Sequence, residues 1–470
     1  MLFQTQNAMV DSWYYSACVK FKNELLNSHH LLYNYFGYYW FSLLKAMDAN
    51  IEAIYALNIM NAFASVTCLY LVYHCLIKLN VNTTAATWLS LFCGVSFGVM
   101  RYATDAETYI LPIVFSLGST LLFINHSKPS HLFFAGVLAA IAILFHQVQL
   151  WWSLAISVSF FIGKTKNYKG LFIFASPLLL VPLVYWIAFN NANYHLSFLQ
   201  FVAGEFGKGN AGIDLSVKAL LLTLINLFRT FLQVHGNILV LFKFYPLIAS
   251  ISFILFLIAA FLALKNLNFK TIKPLQLRPY KPVFLLAIFL QILFALISSG
   301  NAEFMVMLPF LLVLYFASAY QFQGFVFIRY LALSLLIWNL AFAIIPNAKL
   351  TISRVDTQVA FSEKYSMAYG LWKNKPLVEN QLSYFNGFNK FNDQLLNPKN
   401  VTISLVDSLL KKGNTIYTDL PNTNKIFSRE SMVEDNTIKK LIDHCAFVKC
   451  DSFINIYGKN YIYYIQKRMY

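Results

Sequence analysis

Charged residues are scarce in this chain, and their scarcity limits the class of protein it can be. They make up 12% of its 470 residues, whereas soluble domains usually carry about 25%. Of the 36 lysines and arginines, 17 lie after residue 346, as do 11 of the 20 acidic residues. The first 346 residues therefore hold only 28 charged side chains, too few to cover a water-soluble surface of that size. A single soluble globule is excluded, and this part of the chain must contact lipid.

Several chemical signatures are also missing. The six cysteines include no paired C-x-x-C spacing of a zinc site, and three of them lie in apolar runs as small buried residues: Cys68, Cys75 and Cys93. Cys445 and Cys450 could form a disulfide if the C-terminal tail faces an oxidising compartment. The chain has no internal repeat, glycine-rich phosphate loop or nucleophile elbow. Its net charge of +16 is spread between hydrophobic runs, which favours membrane topology over nucleic-acid binding.

What the sequence does contain is a series of apolar runs long enough for membrane helices. They predict an α-helical polytopic membrane protein with ten transmembrane helices, at 55–77, 84–100, 108–125, 131–146, 148–163, 170–189, 245–264, 283–299, 304–320 and 327–346. The connector 164–169 contains three lysines, and 265–282 contains five basic residues. Short loops of this kind stay in the cytoplasm. By alternation, residues 1–54, 190–244 and 347–470 lie on the outer side.

The predicted domains follow from this topology. Residues 1–54 form an outer-face N-terminal loop with an amphipathic helix, 55–346 form the transmembrane domain, and 347–470 form a small extracytoplasmic α/β domain. The segment 215–235 is hydrophobic but includes Lys218, Arg229 and His235. If it crossed the bilayer, the basic connector that follows it would move outside. We therefore expect it to lie flat in the outer interface, within an interfacial loop at 190–244.

The two ends of the chain have different signals. In the tail, β-like runs at 415–419 and 461–466 alternate with helical stretches at 404–412 and 434–444, a pattern typical of a small α/β domain. At the other end, Met1–Val10 contains neither a signal peptide nor a spanning helix that would bring the N-terminus outside. The simplest hypothesis is a first helix encoded upstream. An in-frame apolar stretch in the genomic DNA would support it, and a stop codon there would contradict it.

Acidic residues are rare in the first 346 residues, which contain nine. Any acid at a membrane face or within a span is a functional candidate, because an unpaired buried carboxylate is costly. The predicted topology brings five candidates to the outer side: Asp11, Asp105, Glu107, His146 and Glu303. Each also has a structural alternative. Asp11 could be a helix N-cap, the next two acids could cap the helix that begins near residue 108, His146 could be a polar turn, and Glu303 could pair with Arg101.

These residues occur in an ordered set of short motifs. Asp11 lies in the first outer loop and is followed by an amphipathic segment and the stretch His29-His30-Leu31-Leu32-Tyr33. Glu107-Thr108-Tyr109 lies at the mouth of a later helix, His146-Gln147 lies at a tight helical hairpin, and Asn301-Ala302-Glu303 lies near the last spans. Over about residues 8–346 this order resembles the GT-C superfamily of polytopic membrane glycosyltransferases. Two features depart from the pattern: the expected first helix is absent, and the first-loop acid has no second acid beside it.

The resemblance implies a membrane enzyme that moves a sugar from a polyprenyl-phosphate donor to a glycan or lipid acceptor at the outer face of the plasma (inner) membrane. It points to hexosyl or pentosyl transfer like that of bacterial mannosyltransferases and arabinosyltransferases. Asp11 is the expected general base, and Asp105 and Glu107 are expected to orient the acceptor or to hold a divalent cation. The expected substrate-binding residues are Arg101, Tyr109, His146, Glu303, Lys218 and Arg229. Lys208 is a further cation that could meet the lipid phosphate.

Two other classes of protein are compatible with the same composition. A transporter or lipid flippase places ionisable groups near the bilayer midplane and often shows two matching halves, whereas the acids here are predicted at one face and no repeat is present. A noncatalytic assembly protein would use the domain 347–470 as its working part. The sequence identifies neither the donor sugar nor the acceptor, the lipid chain length, the metal requirement or the oligomeric state.

Overall fold

The computed structural model describes residues 3–161, 166–191, 197–203, 213–234, 237–267, 272–274, 280–322, 325–422 and 435–468. Its first helices are α1 (Val10–Phe21), α2 (Tyr33–Met47), α3 (Ala53–Lys78), α4 (Thr83–Val95), α5 (Phe97–Ala103), α6 (Ile110–Ile124), α7 (Pro129–Phe145), α8 (Leu150–Ser159), α9 (Tyr168–Ala175), α10 (Leu180–Asn191) and α11 (Phe198–Ala203). They are followed by α12 (Val217–Phe231), α13 (Asn237–Phe244), α14 (Pro246–Lys265), α15 (Lys281–Ile297), α16 (Leu308–Ala319), α17 (Val326–Asn339), α18 (Ile345–Lys349), α19 (Asp356–Lys364), α20 (Lys375–Asn386), α21 (Ile403–Lys411) and α22 (Asp435–His444). The strands are β1 (Ile272–Pro274), β2 (Tyr320–Phe322), β3 (Tyr369–Leu371), β4 (Ile416–Thr418), β5 (Cys445–Asn455) and β6 (Gly458–Lys467).

The chain divides into two compact units. The first comprises Glu24–Val234 and Pro246–Ile344, and the second comprises Leu2–Asn23, His235–Tyr245 and Ile345–Tyr470. This grouping differs from the predicted domains at the N-terminus, because residues up to Asn23 belong with the C-terminal part of the chain. The first unit contains the apolar helices, and the second contains the four-stranded sheet.

An α-helix lies at each of the ten predicted spans, but not all of these helices are long. Among the described residues, five helical stretches are long and apolar enough to cross a membrane: Ala53–Lys78, Tyr168–Asn191, Pro246–Lys265, Ala302–Ala319 and Val326–Lys349. A sixth span is possible if α4 and α5, which are bent by 66° at Ser96, act together. The helices α6, α7 and α15 are apolar but shorter, and α8 has only 10 residues. The described chain is mostly helical, with these candidate membrane spans and a small sheet near the C-terminus, and the predicted count of ten spans is not established.

The membrane helices differ in how much of their surface the protein covers. The apolar window of Ala302–Ala319 is 72% buried, whereas that of α14 is 17% buried and that of Tyr168–Asn191 is 22% buried. Large apolar side chains along α14 are exposed, including Leu247, Ile251 and Phe261. Such a surface is stable only against hydrocarbon. The helix α16 is thus a central helix, and α14 and α9–α10 supply lipid-facing surface.

The second unit is built on a sheet of order β3-β4-β6-β5. The strands β3 and β4 are parallel, and β6 pairs antiparallel with both β4 and β5. Successive side chains of a strand point to opposite faces, so Ile462 and Ile465 of β6 belong to two different hydrophobic clusters. The helix α1 packs against α20 on the face of Ile462, where Val10 and Trp13 join that cluster. The predicted helical stretches at 404–412 and 434–444 are observed as α21 and α22, and the predicted strands at 415–419 and 461–466 as β4 and part of β6.

The disulfide considered between Cys445 and Cys450 is contradicted by this sheet. Both cysteines lie on β5, and both are free thiols. Five residues of extended strand separate their Cα atoms by about 16 Å, whereas a disulfide requires less than about 7 Å. Cys445 is buried beneath the sheet, and Cys450 is exposed.

One buried side chain, Asn7, ties the N-terminal segment to the start of the C-terminal part within the second unit. Its amide nitrogen donates to the carbonyl oxygens of Asn347 and Leu350, at 2.8 Å each. Its amide oxygen accepts from the backbone N–H groups of Ile352 at 2.8 Å and Ser353 at 3.0 Å. The side chain of Asn7 therefore forms four hydrogen bonds with backbone groups that would otherwise need partners elsewhere.

We predict that Asn7→Ala destabilises the second unit by about 2–3 kcal/mol, because it leaves buried backbone groups without partners. The measurement is thermal unfolding of the purified protein in detergent. Asn400→Ala is the matched control, because Asn400 is exposed on the same unit and its loss should change stability by less than about 0.5 kcal/mol. Equal melting curves for the two variants would show that the Asn7 hydrogen bonds contribute nothing.

Candidate active site

Two of the predicted acids lie in a buried turn between α5 and α6. Asp105 is fully buried and Glu107 is 2% exposed. The turn is closed locally, since the backbone N–H of Glu107 donates to the carbonyl oxygen of Asp105 at 2.9 Å. It is held from α3 by Asn61, whose amide nitrogen donates to the carbonyl oxygens of Asp105 at 2.7 Å and Glu107 at 2.6 Å. The same nitrogen also lies 3.3 Å from the hydroxyl of Tyr33.

The side chain of Asp105 forms an ion pair with Arg101, one helical turn earlier. The distance between the guanidinium nitrogen and the carboxylate oxygen is 3.0 Å, and the two side chains are 12% and 0% exposed. The other oxygen of Asp105 accepts from the backbone N–H of Ala106 at 3.0 Å. Neither acid caps α6, which begins after Tyr109 without a side-chain cap. The carboxylate of Asp105 is thus held in a buried ion pair, which suits a structural or positioning role better than proton transfer.

Glu303 lies in the same unit, in a short 3-10 turn at Ala302–Met305. Its carboxylate accepts a hydrogen bond from the hydroxyl of Tyr109 at 2.8 Å. The amide nitrogen of Asn301 is 3.3 Å from the same oxygen, and the amide oxygen of Asn301 accepts from the backbone N–H of Glu303 at 3.1 Å. Tyr109 and Glu303 are therefore in direct contact, although they belong to two sequence motifs that are 194 positions apart.

His146 ends α7 and is 3% exposed. Its ring lies 4.4 Å from the ring of His30 and 5.0 Å from that of Tyr109, centroid to centroid. Its Nδ1 accepts from the backbone N–H of Val148 at 3.2 Å, so a neutral ring carries its proton on Nε2. That Nε2 has no hydrogen-bond partner among the described residues. His146 is therefore not the satisfied polar turn of the structural alternative, and it offers a buried N–H donor.

Burial keeps the imidazole of His30 neutral. It lowers the pKa of His30 well below the ordinary histidine value, with further contributions from the nearby His146 and His29. Below neutral pH a solvent-exposed histidine takes up a proton, whereas this ring resists it. His30 thus contributes a ring without charge at physiological pH.

The segment that carries His29 and His30 is held by Gln147. The amide oxygen of Gln147 lies 3.2 Å from Nδ1 of His29, and its nitrogen donates to the carbonyl oxygens of Ser28 at 3.2 Å and Val202 at 2.9 Å. The motif His146-Gln147 therefore has two functions in the fold. One residue joins the cluster of rings, and the next fixes the loop that brings His30 to it.

The helix α12 presents an unusual distribution of side chains. Its protein-facing side is small or polar and consists of Ala219, Thr223, Asn226 and Thr230. Its exposed side is apolar and consists of Val217, Leu220, Leu221, Leu224, Ile225 and Phe228. This is the reverse of a helix on a soluble protein and fits a helix whose outer side meets lipid, as expected for an interfacial segment.

The two predicted cations of α12 lie in different environments. Lys218 is exposed. Arg229 lies with its guanidinium 5.7 Å from the ring centroid of Phe97, and its Nε is 3.4 Å from the amide oxygen of Gln233. Tyr102 is within electrostatic reach of Arg229, Arg101, Glu107 and Glu303. Four charged residues of this unit therefore lie near one pair of tyrosines, since the ring of Tyr102 is 5.0 Å from that of Tyr109. Two further residues named in the sequence analysis, Lys208 and His235, lie outside the described residues.

Asp11 belongs to the second unit, where it is exposed in the first turn of α1. The N-cap residue of α1 is Met9, so the N-cap alternative for Asp11 is wrong. The first unit brings together the other predicted residues: Arg101, Asp105, Glu107, Tyr109, His146, Arg229 and Glu303. The role of Asp11 stays a prediction.

No group of three or more His, Cys, Asp or Glu side chains in the described part of the chain is arranged to hold a metal ion.

Sequence reasoning did not assign roles to His30, Asn61, Tyr102 or Gln147. Asn61 had a usable signal, because an amide in the middle of a long apolar helix must find a partner. His30 and Gln147 were part of the quoted motifs, but their contacts join segments more than a hundred residues apart. Tyr102 carried no signal in a chain with 28 tyrosines.

No family model matches the sequence, and no curated protein is significantly similar to it. Among solved structures, the fold is similar to the oligosaccharyltransferase of Archaeoglobus fulgidus in the apo form, with 12% identity and a TM-score of 0.46 over 89% of this chain and 66% of that one. It is also similar to ArnT from Cupriavidus metallidurans in the apo state, with 9% identity and a TM-score of 0.42 over 98% of this chain and 94% of that one. Both are GT-C glycosyltransferases, the superfamily that the sequence motifs resemble. Identities and scores this low leave function to be argued from this chain's own side chains.

Proposed function

We propose that the protein is a membrane glycosyltransferase of GT-C type, which moves a sugar from a polyprenyl-phosphate donor to an acceptor. The observation that supports this most strongly is the gathering of Glu107, Glu303 and the Arg101–Asp105 pair around two tyrosines. Beside it lies α12, which has an apolar outer side and carries Arg229. A polar site next to a lipid-facing helix suits a substrate that has both a sugar and an isoprenoid chain.

The cations are suited to the phosphate of such a donor. When the bond between the anomeric carbon and the phosphate oxygen breaks, negative charge grows on the phosphate, and a fixed cation nearby stabilises it. Arginine suits this task, because its planar fork matches phosphate oxygens and its charge is permanent. Arg229 and the exposed Lys218 lie on one helix at the proposed interface. In this proposal Arg229 binds the donor phosphate, and Arg101 contributes through its pair with Asp105. Lys218 lies about 16 Å further along the helix and attracts the anionic headgroup to the interface.

The carboxylates are suited to the acceptor. Its hydroxyl oxygen attacks the anomeric carbon, and its proton must pass to a base as the new glycosidic bond forms. We assign this role to Asp11, which is exposed and so can meet an acceptor from solvent. Glu107 orients the acceptor. The hydroxyl of Tyr109, the carboxylate of Glu303 and the buried Nε2–H of His146 are available to bind sugar hydroxyls.

The proposal includes a location. The active face and the second unit are extracytoplasmic in a plasma (inner) membrane, because the basic connectors assign the opposite side to the cytoplasm. The partners are then the lipid bilayer, a polyprenyl-phosphate-linked hexose or pentose, and a glycan or lipid acceptor of the cell envelope.

The acid assignment is tested in proteoliposomes with radiolabelled polyprenyl-phosphate sugars. Asp11→Asn preserves size and hydrogen bonding, so a loss of transfer of about 10²–10⁴-fold would follow from the lost charge. Asp48→Asn is the control, because Asp48 is an exposed acid at the end of α2 and keeps its acceptor oxygen for Asn50 in the variant. It should retain full activity.

The outcome for Asp11→Asn decides between the acids. If this variant turns over at the parent rate, Asp11 is not the base, and Glu107→Gln becomes the variant expected to lose transfer. Full activity in both variants would contradict the proposed acid chemistry. Absence of transfer in the parent protein with every polyprenyl-phosphate hexose and pentose donor would contradict the proposed function.

The proposed sidedness has its own measurement. Single cysteines are introduced at Lys166 and Lys390, both exposed, in a Cys450→Ser background, because Cys450 is the exposed native thiol among the described residues. A membrane-impermeant maleimide applied to intact cells should label position 390 and leave 166 unlabelled until the membrane is opened. Labelling of 166 in intact cells would reverse the topology and the side of the active site.

A further inference from the structure

Glu303 is preceded by a turn that leaves no space for a side chain at Gly300. The turn follows the end of α15, where the N–H of Gly300 donates to the carbonyl oxygen of Ala295 at 2.8 Å. Gly300 has a φ of +69°, which L residues rarely adopt. A Cβ there would lie 2.7 Å from the backbone nitrogen of Thr223 and 2.8 Å from the carbonyl oxygen of Ala219. The backbone of α12 therefore lies directly against the turn.

A buried amide of α12 bonds to the same glycine. Asn226 is 1% exposed, and its amide nitrogen donates to the carbonyl oxygen of Gly300 at 2.6 Å. A second link joins the chain just before α12 to the end of α15, since the N–H of Asp214 donates to the carbonyl oxygen of Ile297 at 2.9 Å. The hydroxyls of the neighbouring inner threonines bond within α12 itself, as in Thr230 to the carbonyl oxygen of Asn226. Asn226 is the inner side chain of α12 seen to bond to this turn.

The contact continues from Gly300 to the candidate carboxylate. The next residue, Asn301, accepts from the backbone N–H of Glu303 and places its amide nitrogen by the carboxylate. On its other side, the carboxylate accepts from Tyr109. The position of Glu303 is thus set from two directions: by Tyr109 from the α5–α6 turn, and by α12 through Gly300.

We propose that Asn226 is a positioning residue for Glu303, and that α12 thereby fixes the distance between the donor-binding cation Arg229 and this carboxylate. The inference rests on the proposed function. Arg229 is three residues after Asn226 on the same helix, so the cation and the amide move together. A donor whose phosphate meets Arg229 and whose chain lies along the apolar side of α12 would have its sugar presented to Glu303 at one defined depth.

The competing explanation is that Asn226 only strengthens helix packing, as polar residues often do in membrane proteins. The two explanations differ in how mutations combine. If Asn226 acts through Glu303, then Asn226→Leu should lower kcat/KM for transfer at least tenfold in the parent protein but cause no further loss in Glu303→Gln. If it only supports packing, the two losses should multiply. Thr230→Val, on the same buried side of α12, is the control and should retain parent activity.

A second measurement does not depend on glycosyl transfer. In a Glu303→Cys, Cys450→Ser background, the rate of maleimide labelling at position 303 reports how firmly the turn is held. Asn226→Leu should raise this rate several-fold, and Thr230→Val should leave it unchanged. An unchanged rate in Asn226→Leu would overturn the positioning role, whatever the enzyme's activity. A raised rate, together with no transfer by the parent protein from any polyprenyl-phosphate hexose or pentose donor, would keep the positioning role and reject the proposed function.

Discussion

The buried amide of Asn61 is the contact on which the candidate site most depends. A polar group inside an apolar helical unit must find a partner within the protein, because no water is available to replace one. The amide nitrogen of Asn61 meets this requirement by donating to the two carbonyl oxygens of the α5–α6 turn, at Asp105 and Glu107. The turn is thereby held against α3 with its acids inward. The ion pair of Arg101 and the hydrogen bond from Tyr109 to Glu303 are possible because the turn is in this position.

The charge balance of the site follows from the same constraint. A histidine in a buried cluster loses the protonated form, so His30 contributes ring surface but no charge. The positive charge must then come from arginine, which stays ionised in buried surroundings. Of the two arginines, Arg101 is paired with Asp105, and Arg229 lies over an aromatic ring on the helix with the apolar outer side. This division leaves Arg229 as the cation best placed for an anionic ligand that arrives from lipid.

Much of the helical framework could be predicted from the sequence, because apolar runs bounded by basic connectors mark helices directly. The interfacial position of α12 was predicted from single residues, Lys218 and Arg229, in an otherwise apolar segment, and it stays a prediction. Other features could not be predicted, since they depend on contacts between distant segments. The assignment of α1 to the second unit rests on Trp13, whose ring lies 5.1 Å from that of Tyr384. The bend at Ser96 and the short length of α8 likewise depend on packing that periodicity does not report.

The helix α12 shows why amphipathicity alone was an incomplete guide to the site. Its hydrophobic pattern predicts which side of the helix faces lipid. The pattern does not show which inner polar residues only fit into the packed interface and which one holds a neighbouring turn in place. The distinction comes from geometry at Gly300, where a missing side chain lets the backbone of α12 approach and the amide of Asn226 reach a carbonyl oxygen. A helix whose outer side is determined by lipid and whose inner side is determined by one turn has little freedom to rotate. In the proposed function, where the donor is partly lipid, that restriction would align the depth of the donor in the membrane with the position of Glu303.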